Sequence, residues 1–241
     1  MQKVFLSVII PAYNEEKRIP QTLLVIDKYL SVQKYSCEIL VVDSGSTDKT
    51  ASVVNNLTKL IKNLRLINLP ENRGKGWAVT QGMLASSGKY RLFTDADNST
   101  SIEHFSKMQP FLEQGYDIVI GSRALRESVI AVPQSLFKRL LGKAGNLFIQ
   151  LVAVWGIWDT QCGFKVFEEK AANDIFSRLT IPGWGFDVET LAIARLRGYK
   201  IKEMPVRWVN DPLSHVTARS YFQVLFETMK VRLNLLRKKY D

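Results

Sequence analysis

Apolar residues along this chain come in short unbroken runs, each cut off by a polar or turn-forming cluster. Val4–Ile10 stops at Pro11, Glu38–Val42 at Asp43-Ser-Gly-Ser, and Leu64–Leu69 at Pro70-Glu-Asn-Arg-Gly. Tyr90–Thr94 stops at Asp95, and Tyr116–Ile120 at Gly121-Ser-Arg. Stretches of helical periodicity fall between them, at roughly 15–31, 47–62, 75–87 and 102–114. Continuous apolar strands alternating with such helices predict an α/β fold, a mainly parallel sheet with helices on both faces. Thr100-Ser101-Ile102-Glu103 has the spacing of a capping box and predicts a helix start near Thr100. In open sheets of this class, ligands bind beyond the carboxyl ends of the strands. Every polar cluster here falls at such an end, so Glu15, Asp43, Lys75, Asp95 and Arg123 are expected to be neighbours on one edge.

The second half is less regular. Over 134–155 a wide apolar stripe, including Leu147, Phe148, Leu151, Val152 and Trp155, faces a side bearing Lys138, Arg139, Lys143, Asn146 and Gln150. Such a helix either packs on the core or lies in a membrane interface. It is too short to span a bilayer, which takes about 20 mainly apolar residues, because only 15 residues separate Lys143 from Asp159. A second basic amphipathic segment, 221–240, ends in Arg237-Lys238-Lys239. Basic flanks of this kind suit an anionic lipid surface, at about 1 kcal/mol per residue near it.

Composition changes the picture little: 241 residues, 46% hydrophobic and 23% charged, describe an ordinary globular chain. The 241 residues are expected to form one domain, with a nucleotide-binding half at 1–122 and an acceptor half at 123–241. Charge changes it more. The net +10 suits an anionic partner, and residues 197–241 carry ten Lys/Arg against four Asp/Glu. The basic residues are not interleaved with aromatics as a nucleic-acid stacking platform requires, so nucleic acid is not expected as a partner. Cys37 and Cys162 form no metal pattern and are expected to be reduced thiols of a cytosolic protein. No secretory leader is evident.

The chemistry concentrates at "RLFTDADNST", residues 91–100, where Asp95 and Asp97 flank Ala96 at a strand end. A helix start, a solvated turn or a bound cation would each explain two carboxylates there. No Walker loop or dinucleotide fingerprint occurs, and Gly74-Lys75-Gly76 lacks the third glycine of the latter. A diphosphate held by a divalent cation fits better, with Asp95 and Asp97 as hard oxygen ligands. Lys75, at a glycine-flanked helix start, would add a positive charge for phosphate.

The ordered set "SVIIPAYNEEKRI", "EILVVDSGSTDKT", "NRGKGWAV" and "FTDADNS" resembles family 2 glycosyltransferases of the GT-A type. "GSRA", "DTQCGFKVF", "GWGFDVETL" and "PVRW" narrow the resemblance to the polyprenyl-phosphate glycosyltransferases. That group includes dolichyl-phosphate β-glucosyltransferases and mannose synthases, and the glucosyl branch is the nearer. The resemblance implies inverting, metal-dependent transfer of glucose from UDP-glucose to a polyprenyl phosphate. GDP-mannose as donor, a soluble hydroxyl acceptor, a nucleotidyltransferase and a non-catalytic membrane scaffold remain alternatives.

By the same resemblance, Pro11, Ala12, Tyr13 and Glu15 line the nucleotide pocket, Asp43 bonds the base and Lys75 lies beside the nucleotide. Asp95 approaches the ribose, Ala96 belongs to the nucleotide-sugar site, and Asp95 and Asp97 hold Mg²⁺ or Mn²⁺. Arg123, Lys138 and Ser214 are expected at the acceptor phosphate, with Asp187 and Glu189 as the late acidic motif. Asp97, Arg123, Asp187 and Glu189 are the expected catalytic set. Two departures stand out: Ser214-His215 replaces a Ser-Lys pair, and the transmembrane helices of many relatives have no counterpart here. The chain is therefore expected to sit peripherally on the cytoplasmic face of a membrane, held by its amphipathic segments. Oligomeric state is left open.

Overall fold

The computed structural model describes residues 3–132, 136–210 and 218–241. Lys138 belongs to a helix, but its side chain lies outside the described residues, as do Ser214 and His215.

Four strands of the first half run parallel: β1 (Leu6–Ala12), β2 (Cys37–Ser44), β3 (Leu64–Leu69) and β4 (Tyr90–Thr94). They are joined by α1 (Ile19–Ser31), α2 (Thr50–Leu57) and α3 (Lys75–Ala85). After α4 (His104–Glu113) comes β5 (Ile118–Ser122). Alternation along β1 shows why the strands are apolar throughout. Val8 and Ile10 enter the core under α1, α2 and α4, whereas Ile9 enters the core under α3 on the other face.

The capping box expected at Thr100 does not form. Thr100 is paired across an antiparallel bridge with Trp208, and Ser99 O accepts from Val209 N–H. That extended backbone delays the helix to His104, and Ser101 Oγ, rather than Thr100, accepts from Glu103 N–H.

The second half adds a short pair, β6 (Val129–Ile130) with β9 (Arg207–Trp208), and two strands of the main sheet, β7 (Phe164–Glu168) and β8 (Ile201–Pro205). The seven strands lie in the order β3-β2-β1-β4-β7-β5-β8. β7 is antiparallel to both β4 and β5, so two reversals return β5 to the direction of β4. The carboxyl ends of all five expected strands therefore share one edge, and strands from beyond residue 122 complete the sheet.

Helices α6 (Glu169–Phe176) and α7 (Phe186–Leu196) cover the face that α3 also covers. The two amphipathic segments are α5 (Leu136–Val152) and α8 (Ala218–Leu236). Their faces depart from the expected pattern. In α5 the expected polar residue Gln150 is buried, while Leu147 and Leu151 of the apolar stripe are exposed. In α8 the buried face is half polar, with Ser220, Thr228 and Asn234 beside Val224 and Val231. Its outward face instead carries Phe222, Phe226, Met229, Leu233 and Leu236. No helix among the described residues is long and apolar enough to cross a membrane.

Candidate active site

The strand ends open into a cleft of about 220 Å³. It is lined by Pro11, Ala12, Tyr13, Glu15, Lys75, Asp95, Ala96 and Asp97, all expected there, together with Arg18, Ser44, Asn72, Gly74, Ala78 and Trp184. A larger open hollow of about 590 Å³, around Asp174 and Arg197, lies at the other edge, where Glu168 pairs with Tyr90 at the start of β4. Its acids are already engaged: Asp174 is bound by Arg178, Arg197 and Tyr199, Glu169 pairs with Lys3, and Glu168 accepts from Lys170 N–H.

Loops knit by short polar side chains hold the cleft's left wall. Asn14 takes a left-handed backbone (φ 56°), which asparagine tolerates. Its Oδ1 accepts from Thr47 N–H at 2.9 Å, and its own N–H donates to Ser46 Oγ at 2.9 Å. The Glu15 carboxylate is gripped by Arg18 through Nε at 2.6 Å and Nη2 at 2.5 Å. Asp43, at the end of β2, is buried and accepts from the Ser46 hydroxyl.

The floor is the amino end of α3. Gly74 caps it with φ 116°, and a Cβ there would lie 2.5 Å from Pro182 O, so only glycine fits. Lys75 then points its ammonium at Asp95 Oδ1, 2.6 Å away, above the rings of Phe93 and Trp184. Burial alone would lower the pKa of Lys75, but Asp95, Asp187 and Asp97 outweigh it and raise it. Lys75 is thus held charged. Asp97 accepts from Ser99 N–H at 2.9 Å, and the left-handed Asn98 (φ 52°) turns the chain after it. Burial first, and the charge of Asp95 second, push the Asp97 carboxyl above the ordinary aspartate range. A divalent cation would relieve that cost.

The remaining expected residues lie deeper or to the side. Arg123 follows β5 and is clamped by Asp159, through Nε at 2.7 Å and Nη2 at 2.9 Å, with its N–H also donating at 2.8 Å. Its guanidinium stands 5.4 Å over Trp208. Asp187 is buried and paired with Lys165 at 2.5 Å, and Lys165 also donates to Cys162 O. Glu189 does not line the cleft. It is fully buried and accepts from Thr180 N–H and Oγ1, Ile181 N–H and the Tyr240 hydroxyl, fastening the C-terminal turn to the loop before α7. Cys37 and Cys162 are free thiols, and burial pushes Cys162 up to about 12, so it is no nucleophile. His104 is bonded at both ring nitrogens, to Ser101 O and Arg207 N–H.

Sequence reasoning missed Trp184, Arg18, Asn72 and the clamp Asp159. All four stand inside the family motifs, but no sequence pattern says that Asp159 contacts Arg123 or that Trp184 lies beside Lys75.

Among the described residues no group of three or more His, Cys, Asp or Glu converges as a metal cage. With Glu15 taken by Arg18, the cleft instead offers the Asp95 and Asp97 carboxylates, a lysine and a helix amino end, the arrangement that leaves coordination positions for a diphosphate.

Comparison with known proteins agrees with this geometry. The model for "Glycosyl transferase family 2" matches residues 7–176. A dolichyl-phosphate beta-glucosyltransferase of Dictyostelium discoideum is 37% identical, over 98% of this chain and 76% of the relative. The protein of that name from Homo sapiens is 36% identical, over 96% of this chain and 76% of its own length. Glucosyl-3-phosphoglycerate synthase from Mycobacterium tuberculosis, solved in complex with UDP, superposes with a TM-score of 0.68 at 19% identity, covering 96% of this chain and 79% of that one. Mannosyl-3-phosphoglycerate synthase from Rubrobacter xylanophilus gives 0.69 at 18% identity, covering 98% and 75%. The solved structures share the fold, the GT-A architecture that the motifs implied. With strand ends, carboxylate pair and family model all falling on the same residues, the chain belongs to glycosyl transferase family 2.

Proposed function

We propose that this glycosyltransferase moves glucose from UDP-glucose to dolichyl phosphate or a similar polyprenyl phosphate, at the cytoplasmic face of a membrane. The observation that carries the donor chemistry is the meeting of Asp95, Asp97, Lys75 and the amino end of α3 in one cleft. The choice of glucose and lipid phosphate is supported by relatives named for that reaction at 36–40% identity over most of the chain.

Asp95 and Asp97 are the residues that would hold Mg²⁺ or Mn²⁺. When bound, the ion supplies charge neutralisation at the diphosphate as the sugar–phosphate bond breaks. Lys75, kept protonated by its acidic neighbours, shifts from Asp95 toward the developing negative charge, where a preorganised cation contributes most. Asp43, buried behind the cleft lining at the end of β2, is assigned to the base, and Ser44 beside it lines the cleft. A phosphate acceptor is already an anion and needs no strong base. Asp187 lies outside the cleft lining, buried against Lys165, so it is not presented to an acceptor hydroxyl as a base, which supports the phosphate acceptor. Arg123, oriented by Asp159, is assigned to the acceptor phosphate.

The exposed apolar stripe of α8 supports peripheral membrane contact. Arg219, Lys230, Arg232, Arg237, Lys238 and Lys239 accompany it, and all six are exposed. The direct test incubates the protein with labelled UDP-glucose or GDP-mannose and dolichyl phosphate, then extracts lipid. Labelled glucolipid that requires Mg²⁺ or Mn²⁺ is expected. Mannolipid alone, or label only in water-soluble acceptors, would reject the reading.

A further inference from the structure

Residues 159–165, Asp-Thr-Gln-Cys-Gly-Phe-Lys, line none of the cleft, yet they touch one of its side chains and two expected site residues beside it. Asp159 clamps Arg123 and Lys165 pairs with Asp187. The third contact is made by a residue with no side chain. Gly163 O accepts from Asp95 N–H at 3.2 Å, and a Cβ built on Gly163 would lie 1.9 Å from Asp95 Oδ2, 2.4 Å from Cγ and 3.0 Å from Oδ1.

We propose that Gly163 is a positioning residue of the donor site, reserving the space in which the Asp95 carboxylate lies. The backbone supplies no competing reason for glycine. Gly163 is not among the residues with positive φ, so an L side chain meets no torsional obstacle there. The three heavy atoms nearest to its absent Cβ all belong to the Asp95 carboxylate. With that space filled, Asp95 must rotate, leaving Lys75 without its 2.6 Å partner and separating the two carboxylates. The Asp95 side chain is 30% exposed and has open solvent to turn into, so the fold survives the change while the site does not. The inference rests on the reading that Asp95 and Asp97 hold the cation.

The test is titration of Mn²⁺ in the presence of UDP, with no acceptor and no turnover, on wild type, Gly163→Ala, Asp95→Ala and the double variant. Gly163→Ala is expected to bind Mn²⁺ at least tenfold more weakly while melting close to wild type in metal-free buffer. In the Asp95→Ala background it should cause no further loss, because its effect passes through that carboxylate. Wild-type Mn²⁺ binding by Gly163→Ala beside a defective Asp95→Ala overturns the positioning role alone. An equal further loss in the double variant also overturns it. Wild-type binding by Asp95→Ala overturns the cation reading and this inference with it. Should Gly163→Ala fail to fold, the double variant decides: restored folding supports the clash with Asp95, and continued misfolding refutes it.

Discussion

Replacing Asp159 by asparagine tests the Arg123 assignment with almost no change in volume. The carboxylate accepts three hydrogen bonds from Arg123 and a longer one from Gln161 N–H. An asparagine offers one acceptor oxygen and turns an NH₂ group toward the guanidinium, so at least one donor faces a donor. Removing one member of a buried ion pair costs about 3–5 kcal/mol. Arg123 keeps 30% of its side chain in water, which returns part of that, leaving an expected loss of about 2–3 kcal/mol. For a chain of this size each kcal/mol lowers Tm by about 2–4 °C, so a drop of about 4–12 °C should appear in a thermal melt. Burial would raise the Asp159 pKa, but the charge and hydrogen bonds of Arg123 outweigh it and hold it low. The pair therefore stabilises the fold fully above the ordinary aspartate pKa and loses that contribution as pH falls through the depressed one. The gap in Tm between wild type and variant should be constant near neutrality and close in acid. With Arg123 no longer oriented, KM for lipid phosphate should rise about tenfold, the equivalent of one charge-assisted bond, while UDP affinity stays near wild type. A variant with unchanged Tm and unchanged acceptor KM would show that the clamp supports neither the fold nor the acceptor site.

Asp97→Asn should abolish Mn²⁺ binding and turnover yet raise Tm in metal-free buffer at pH 7. The raised carboxyl pKa means that ionised Asp97 disfavours the native state, and the gain should vanish below the ordinary aspartate pKa; an unchanged or lower Tm at pH 7 would contradict this. Phe222→Ser with Phe226→Ser should weaken flotation with anionic vesicles at low salt without lowering Tm, since the two rings are 73% and 75% exposed; undiminished flotation would move the lipid contact off α8. Tyr240→Phe removes a buried donor to Glu189 and should cost about 1–3 kcal/mol, with UDP affinity unchanged; a fall in UDP affinity would show that Glu189 acts on the donor site rather than only on the fold.

The first half of the fold was legible because parallel strands buried on both faces must be apolar along their length. The expected bounds Leu64–Leu69 and Tyr90–Thr94 match the strands; the polar clusters place Glu15, Lys75, Asp95 and Asp97 in the cleft, and the family resemblance adds Pro11, Ala12, Tyr13 and Ala96. The strand β7 was not legible: five residues inside "QCGFKVFEE" carry no period that separates a strand from a turn, and only their pairing between β4 and β5 makes them one. The amphipathic helices show the converse limit. Periodicity correctly finds a stripe on α8 but cannot say whether it turns inward, and here Thr228 and Asn234 face the interior while Phe222 and Phe226 face out. Local sequence determined the strands, the turn residues and the chemistry placed at their ends, because those follow from burial and backbone preference within a few residues. Tertiary structure alone decided that Asp159 clamps Arg123, that Glu189 is tied to Tyr240 and that Gly163 makes room for Asp95, because each depends on which distant segment arrives at the same few ångströms.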